Sequence, residues 1–345
     1  MSEVLRAPYP AFGGKGRAAA LIWERFGRVV NFVDPMCRSL AVPLACPKHM
    51  RPRVETVNDL DAHIANAWRS IAWHAEETAR ACDWPVNEVD LHARHKHLLA
   101  RIPDMRARLD ADPKWCDPEI AGWYIWGASA WIGSGWCEEG RAPNEKRAPD
   151  LSGGGAESWS QKIGAGVHAA GMREPSRQLP HLVAGMGVHA FGARTRLYDL
   201  FAALSERLRH VRVTCGDWSR ICTPAVTYRH GLTAVLLDPP YEGFEGVYGS
   251  TSISAEVRAW AIENGERPDM RIALCGYEGE HDMPATWECV AWKAKGGYGN
   301  QRKDGENENA RRERIWFSPA CLRPGVTTGQ IMLFGSERSQ ELQHE

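Results

Sequence analysis

Apolar positions along the chain fall into short blocks whose period alternates. Residues 15–26 carry Ala18, Ala19, Leu21, Ile22 and Trp23 in a helical cluster. Val29 to Val33 is a short β-branched run that stops at Asp34-Pro35, which predicts a buried strand and the turn at its carboxyl end. A second helix is expected from Ser39 to Ala45, stopped near Pro47. Val54 to Val57 then reads as a strand ending at Asn58-Asp59. Residues 61–82 have helical spacing, with Ile64, Trp68 and Ile71 on one side. Strand, turn and helix in repeated succession argue for a doubly wound parallel sheet.

The pattern changes near Pro85. Residues 88–109 are expected to be helical and carry His92, His95 and His97; an aromatic segment follows from Gly122 to Trp126, with Trp131 and Trp136 beyond it. Residues 140–190 are rich in Gly, Pro and Ser and read as loop. Sheet-like order returns with a helix over 194–209 and a strand from Val211 to Thr214. Further strands are expected at Ala234 to Leu237 and Arg271 to Leu274, with a helix over 255–264 between them. Residues 287–292 and 314–317 are expected to form two antiparallel strands around a polar, glycine-rich loop. The last twenty residues read as a tail.

Composition narrows the classes. The chain has 345 residues, 43% apolar and 25% charged, which are ordinary globular values and argue against disorder, collagen or coiled coil. Lys and Arg total 42 against 43 Asp and Glu, so a polybasic binder is not expected. Residues 141–198 nevertheless hold eight Lys/Arg against four Asp/Glu, a local excess of four positive charges. Ten cysteines are scattered through apolar contexts without a C-x-x-C pair, which points to buried thiols in a reducing compartment rather than to disulfides or zinc. The amino terminus has no apolar h-region and no run approaches 18 apolar residues, so neither secretion nor membrane spanning is expected. No metal is expected: the three histidines lack acidic partners and read as a helix surface. Fifteen tryptophans exceed what packing usually demands, so some rings are candidates for stacking on flat ligands.

Four motifs carry chemistry. Leu236-Leu237-Asp238-Pro239-Pro240-Tyr241 closes an apolar strand. Two prolines lock φ and remove two N–H donors, so the carbonyls there point away from a ladder. An acid before them and an aromatic after them form a slot with two acceptors and one stacking surface, suited to a flat ring bearing an amine; the plainer reading is a turn with a buried acid. Tyr9 to Gly16, with Phe12, Gly13, Gly14 and Lys15, opens a helix; its glycines permit close approach of a ligand, or simply cap the helix. Asp34-Pro35-Met36-Cys37-Arg38-Ser39 followed by Asn58-Asp59-Leu60 places an acid at the end of a second strand, where a nucleotide-like cofactor presents ribose hydroxyls. Cys215-Gly216-Asp217-Trp218 is another acid at a strand end, able to accept from an adenine amine with Trp218 on the ring.

In this order the motifs resemble the D12-class, Dam-like DNA adenine N6-methyltransferases, most closely the phage and prophage branch. That family carries Phe/Trp-x-Gly-Gly-Lys, matched by Phe12 to Lys15; Glu/Asp-Pro-Phe-x-Gly-Ser, matched in part by Asp34 to Ser39; Asn-Asp-Leu, at 58–60; and Asp-Pro-Pro-Tyr, at 238–241. Residues 131–136, 296–300 and 314–319 also look like the phage branch, and the resemblance spans about residues 8–321. It implies a seven-stranded, Rossmann-like sheet that binds S-adenosylmethionine, with a mainly helical and loop target-recognition insertion. The expected division is 1–84 and 194–323 for the two halves of the catalytic domain, 85–193 for the insertion and 324–345 for the tail.

The resemblance further implies a cytoplasmic enzyme, in a bacterial or phage-infected cell, that methylates N6 of a flipped adenine in double-stranded DNA. Asp238 and the Pro239 carbonyl would orient N6, with Pro240 fixing the turn and Tyr241 stacking on the base. Phe12, Gly14, Lys15 and Asp34 would lie along the methionine end of the cofactor, with Tyr9, Gly13, Pro35, Arg38 and Ser39 also among its contacts; Asp59 would take the ribose, and Asp217 with Trp218 the adenine. Arg141, Lys146, Arg147, Lys162, Arg173, Arg177, Lys293, Lys295 and Asn300 are the candidate DNA contacts. One departure stands out: Arg38 occupies the place of the family's loop glycine. It would block the pocket, swing outward on a backbone of negative φ, or pair with the cofactor carboxylate. The rivals are N4-cytosine methylation in the same slot, and a non-catalytic DNA-binding relic with a pocket impaired by Arg38.

Overall fold

The structure is a computed structural model that describes residues 5–10, 14–131, 136–137, 188, 194–241, 253–292 and 311–324. It is an α/β protein built on a mixed seven-stranded sheet, compatible with a Rossmann-like fold. The strands are β1 (Asn31–Asp34), β2 (Val54–Asp59), β3 (Val211–Cys215), β4 (Thr233–Leu237), β5 (Met270–Tyr277), β6 (Glu288–Ala291) and β7 (Glu313–Phe317). Their order is β3-β2-β1-β4-β5-β7-β6. The first five are parallel, and β7 runs antiparallel between β5 and β6. The antiparallel pair expected at 287–292 and 314–317 is therefore present, with three of its four boundaries moved by one residue.

Eight helices accompany these strands among the described residues: α1 (Ala19–Phe26), α2 (Ala41–Leu44), α3 (Ala62–Trp73), α4 (Ala75–Cys82), α5 (Glu88–Ala111), α6 (Pro118–Ala130), α7 (Arg194–Leu208) and α8 (Ile253–Gly265). Period-two alternation sends the strand side chains to both faces. Phe32, Leu236, Ala273, Ile315 and Phe317 meet Ile22, Trp23 and Phe26 of α1. Their neighbours Val33, Val235, Leu237, Ile272 and Leu274 meet Val257 and Ala261 of α8. Burial on both faces is why β4 reads as a nearly continuous apolar run.

Local chemistry sets the helix ends. Asp61 accepts the His63 N–H at 2.8 Å, Asn87 that of Asp90 at 2.8 Å, and Asp117 that of Ile120 at 3.0 Å, each capping the helix that follows. The single helix expected over 61–82 is two. His74 leaves the helical region (φ −134°, ψ 50°), and the chain restarts as α4. The break lets α4 lie against α6, where Gly122 comes so close that a Cβ there would stand 2.3 Å from the Ala81 Cβ. The aromatic segment 122–126 lies within α6, and α3, α4, α5, α6 and α7 share one apolar core with Val57 of β2. A buried ion pair joins α7 to β2: Arg207 grips both oxygens of Glu55, at 2.9 and 2.6 Å.

His95 is not a surface side chain. Its ring stacks on Trp131 at 4.8 Å and leans on Trp136 at 5.3 Å, and burial, with His92 beside it, lowers its pKa. All ten thiols are free, and seven are buried. Among the described residues no helix is long and apolar enough to cross a membrane, and no group of His, Cys, Asp or Glu is arranged to hold a metal ion.

Candidate active site

A parallel sheet of this order has one point at which the chain reverses its direction of travel across the sheet. Here it lies between β1 and β4, which pair directly from Asn31↔Thr233 to Val33↔Val235. Ligands of such sheets bind outside the carboxyl ends of the strands at that point. β1 ends on Asp34, and β4 runs straight into Asp238. Two acids that are 204 residues apart in sequence thus converge at the switch point.

Lys15 joins them. Gly14 opens a short 3-10 turn over Lys15–Arg17 that delivers the lysine inward, where it is 3% exposed. Its Nζ lies 2.8 Å from Asp238 Oδ1 and packs over the rings of Tyr241, 5.0 Å from the centroid, and Trp292, at 5.9 Å. Burial alone would lower the Lys15 pKa, but the carboxylates of Asp238 and Glu313 prevail and hold it above the ordinary lysine value. Asp34 goes the other way. Burial, followed by the nearby Asp238 carboxylate, pushes its pKa well up, against the Met36 N–H that lowers it. Asp34 Oδ1 is buried with no hydrogen-bond partner among the described residues, a condition that invites a donor.

Pro239 is buried and Pro240 half-buried. The Tyr241 hydroxyl donates to Glu313 Oε2 at 2.9 Å and lies 3.3 Å from Asp238 Oδ1. Tyr277, paired with Glu313 across β5 and β7, meets the Tyr241 ring edge to face at 4.5 Å. Glu313 is buried, and that raises its pKa although Lys15 and Tyr241 oppose the shift. Among the described residues, three carboxyl groups, one ammonium and two phenols therefore share a site largely withdrawn from water.

A second group forms at the end of β2. Asp59 accepts the Arg38 N–H at 2.9 Å through Oδ2 and the Asp61 N–H at 3.0 Å through Oδ1. Burial and the Asp61 charge raise its pKa to about 6. Arg38 has φ +40°, so its backbone takes the left-handed conformation that favours glycine, not the negative φ that would swing the side chain outward. The next-but-one residue, Leu40, is also left-handed at +51°. The turn is held from beneath: the Tyr9 hydroxyl and the Trp68 indole N–H both donate to the Arg38 carbonyl at 2.8 Å. Ser39 is buried beside them. Asn58 ties three strand ends together, donating to Pro35 O at 3.0 Å and Gly216 O at 2.8 Å while accepting from Thr214 at 2.9 Å.

At the end of β3, Asp217 is exposed and caps its own 3-10 turn by accepting from the Ser219 N–H at 2.9 Å. Trp218 meets Trp260 of α8 edge-on at 6.4 Å. Phe12 and Gly13 lie outside the described residues, as do Arg141, Lys146, Arg147, Lys162, Arg173, Arg177, Lys293, Lys295 and Asn300. Glu313, Tyr277 and Trp292 escaped the sequence reading. An acid heading the apolar run Ile315 to Phe317 was the available clue for Glu313. Its partner lies 72 residues away and is brought to it only by the β5–β7 pairing.

No protein-family model matches the chain, and no curated protein shows significant sequence similarity to it.

Proposed function

We propose that the chain is a DNA methyltransferase that uses S-adenosylmethionine and acts on the N6 amino group of adenine. The observation that carries this reading is the Asp238-Pro239-Pro240-Tyr241 turn at the switch point, with Lys15 and Asp34 in the same cluster. The acids at the three strand ends, Asp34, Asp59 and Asp217, suit a molecule with a cationic centre, vicinal hydroxyls and an aromatic amine. The unpartnered Asp34 Oδ1 fits an ammonium or hydroxyl donor at the β1 end. Asp59 would take the ribose, and Asp217 and Trp218 the adenine. S-Adenosylmethionine, when bound, supplies an electrophilic methyl group.

The residues of the chain do the rest. Asp238 and the Pro239 carbonyl accept hydrogen bonds from the substrate amino group, which draws its lone pair out of conjugation with the ring. The Lys15 ammonium, 2.8 Å from Asp238 Oδ1, holds that carboxyl group in place as an acceptor. Tyr241 offers a ring to stack on the base, and its hydroxyl is anchored by Glu313. Alignment and fixed charge, rather than a strong general base, supply most of the rate. The proton released after transfer leaves to Asp238 or to water.

The left-handed Arg38 supports the enzyme reading over the relic, because it keeps the backbone path that the glycine would give. The test is methyl transfer from labelled S-adenosylmethionine to unmethylated genomic DNA, followed by nucleoside mass spectrometry, with Asp238→Ala as control. N6-methyladenosine that vanishes in the control is the expected result. N4-methylcytosine would move the target to cytosine. Absence of product from the wild type and from Arg38→Gly alike would overturn the proposal.

A further inference from the structure

A pocket of about 360 Å³ opens along the outer edge of the sheet, between β3, α3 and α5. Three guanidinium groups reach it, from Arg69 on α3, Arg106 on α5 and Arg220 after β3, against the single carboxylate of Asp110. Among the lining residues three positive groups less one negative leaves a formal excess of two, with Asp61 near enough to act on Arg106. The candidate cofactor cleft has the opposite sign, with Asp34, Asp59 and Asp217 at its strand ends.

Two of the cations are held in place. Arg69 donates from Nη2 to Pro113 O at 2.7 Å, and its guanidinium lies 4.9 Å from the Trp73 ring centroid. Its buried Nε has no hydrogen-bond partner among the described residues. Arg220 donates from Nη1 to Cys215 O at 2.8 Å, against the pocket floor. A guanidinium has five N–H donors, so each bond fixes the fork while leaving donors for a ligand. Leu109 and Val213 supply apolar wall, and Leu60, 58% exposed, presents uncovered apolar surface at the rim. β3 is the edge strand, and an edge strand presents backbone N–H groups without a strand partner.

We propose that this pocket is a second binding site and that it takes a nucleotide phosphate. The phosphate sits among Arg69, Arg106 and Arg220, and the base lies against Leu60, Leu109 and Val213. Bidentate guanidinium contacts match phosphate oxygens, apolar walls match a base, and the volume falls in the range of small-molecule sites. Asp59, Asp217 and Asp238 do not line the pocket, but Leu60, Cys215 and Gly216 adjoin the acids assigned above to the cofactor, so competition with S-adenosylmethionine decides whether the two sites are distinct.

Calorimetry on the full chain at low salt tests it with AMP, adenosine, inorganic phosphate and a short single-stranded DNA. AMP is expected to bind, and to bind more weakly as salt rises. Adenosine and inorganic phosphate should each bind at least roughly tenfold more weakly than AMP. Arg106→Gln, on an exposed stretch of α5, and Arg69→Gln should each weaken AMP by about the same factor while circular dichroism stays unchanged. DNA binding more tightly than AMP through the same arginines would make a strand the source of the phosphate, and the reverse would make it a free nucleotide; both support the site. AMP affinity unmoved by both variants would overturn the proposal. So would phosphate binding as well as AMP, or displacement of AMP by saturating S-adenosylmethionine.

Discussion

Replacing Lys15 by methionine keeps most of the length of the side chain and removes the ammonium that pairs with Asp238 in the cluster. The contact is 2.8 Å, with Lys15 3% and Asp238 20% exposed. At an effective dielectric of 20 the gross attraction at that distance is about 6 kcal/mol, offset by the cost of desolvating both groups. Removing one member of such a buried pair leaves the other charge uncompensated, and typically costs about 3–5 kcal/mol. Here the remaining groups are Asp34, Asp238 and Glu313, so the deficit depends on pH. Asp34 and Glu313 already sit above the usual carboxylate range because of burial, and Lys15 is among the groups that hold Glu313 down. For an acid with a raised folded pKa, stability is fully present below the unfolded value, roughly 4, and is lost as pH rises through the folded value. Loss of Lys15 raises the folded value of Glu313 further. The gap between wild type and Lys15→Met should therefore be smaller at pH 5 than at pH 8. Urea unfolding of both proteins at those two pH values measures it. A deficit below about 1 kcal/mol at pH 8, the size expected of an exposed pair, would refute the reasoning. A deficit independent of pH would do so as well.

Other consequences are separable from that one. Asp59, with a folded pKa of about 6 against an unfolded value near 4, should subtract about 3 kcal/mol of stability as pH rises from 4 to above 6; titration of its carboxyl carbon by NMR checks the midpoint. Arg207→Met should destabilise by about 3–5 kcal/mol, because the Glu55 carboxylate is left buried without its partner, and chemical denaturation reads it directly. Asn58→Ala strips a donor from two carbonyls and an acceptor from Thr214, for a loss of about 2–4 kcal/mol. Amide exchange in that variant should quicken at residues 35–38 and 215–217 before it quickens in β4; uniform exchange across the sheet would contradict the clamp.

How much of this was legible along the chain follows from the range of each interaction. Val29 to Val33 and Ala234 to Leu237 are dense apolar runs because both faces of their strands are covered, and that requirement is written locally. Asp34, Asp59, Asp217 and Asp238 each end or follow such a run, so an acid at a strand's carboxyl end could be read from neighbouring residues alone. The break at His74 could not, since nothing in residues 61–82 announces it. It answers the packing of α4 on α6, a segment some forty residues further on.

The same holds at the site. The sequence by itself determined the α/β class, the acids at the strand ends and the locked Pro239-Pro240 turn, all of which rest on contacts within a few residues. Only the tertiary structure decided that Lys15 pairs with Asp238, that Glu313 anchors Tyr241, and that Arg38 keeps a glycine's backbone under the grip of Tyr9 and Trp68. Those partners lie between 29 and 223 residues apart in the chain. What brings them together is the order in which seven strands pair, and strand order is a property of the buried whole rather than of any stretch within it.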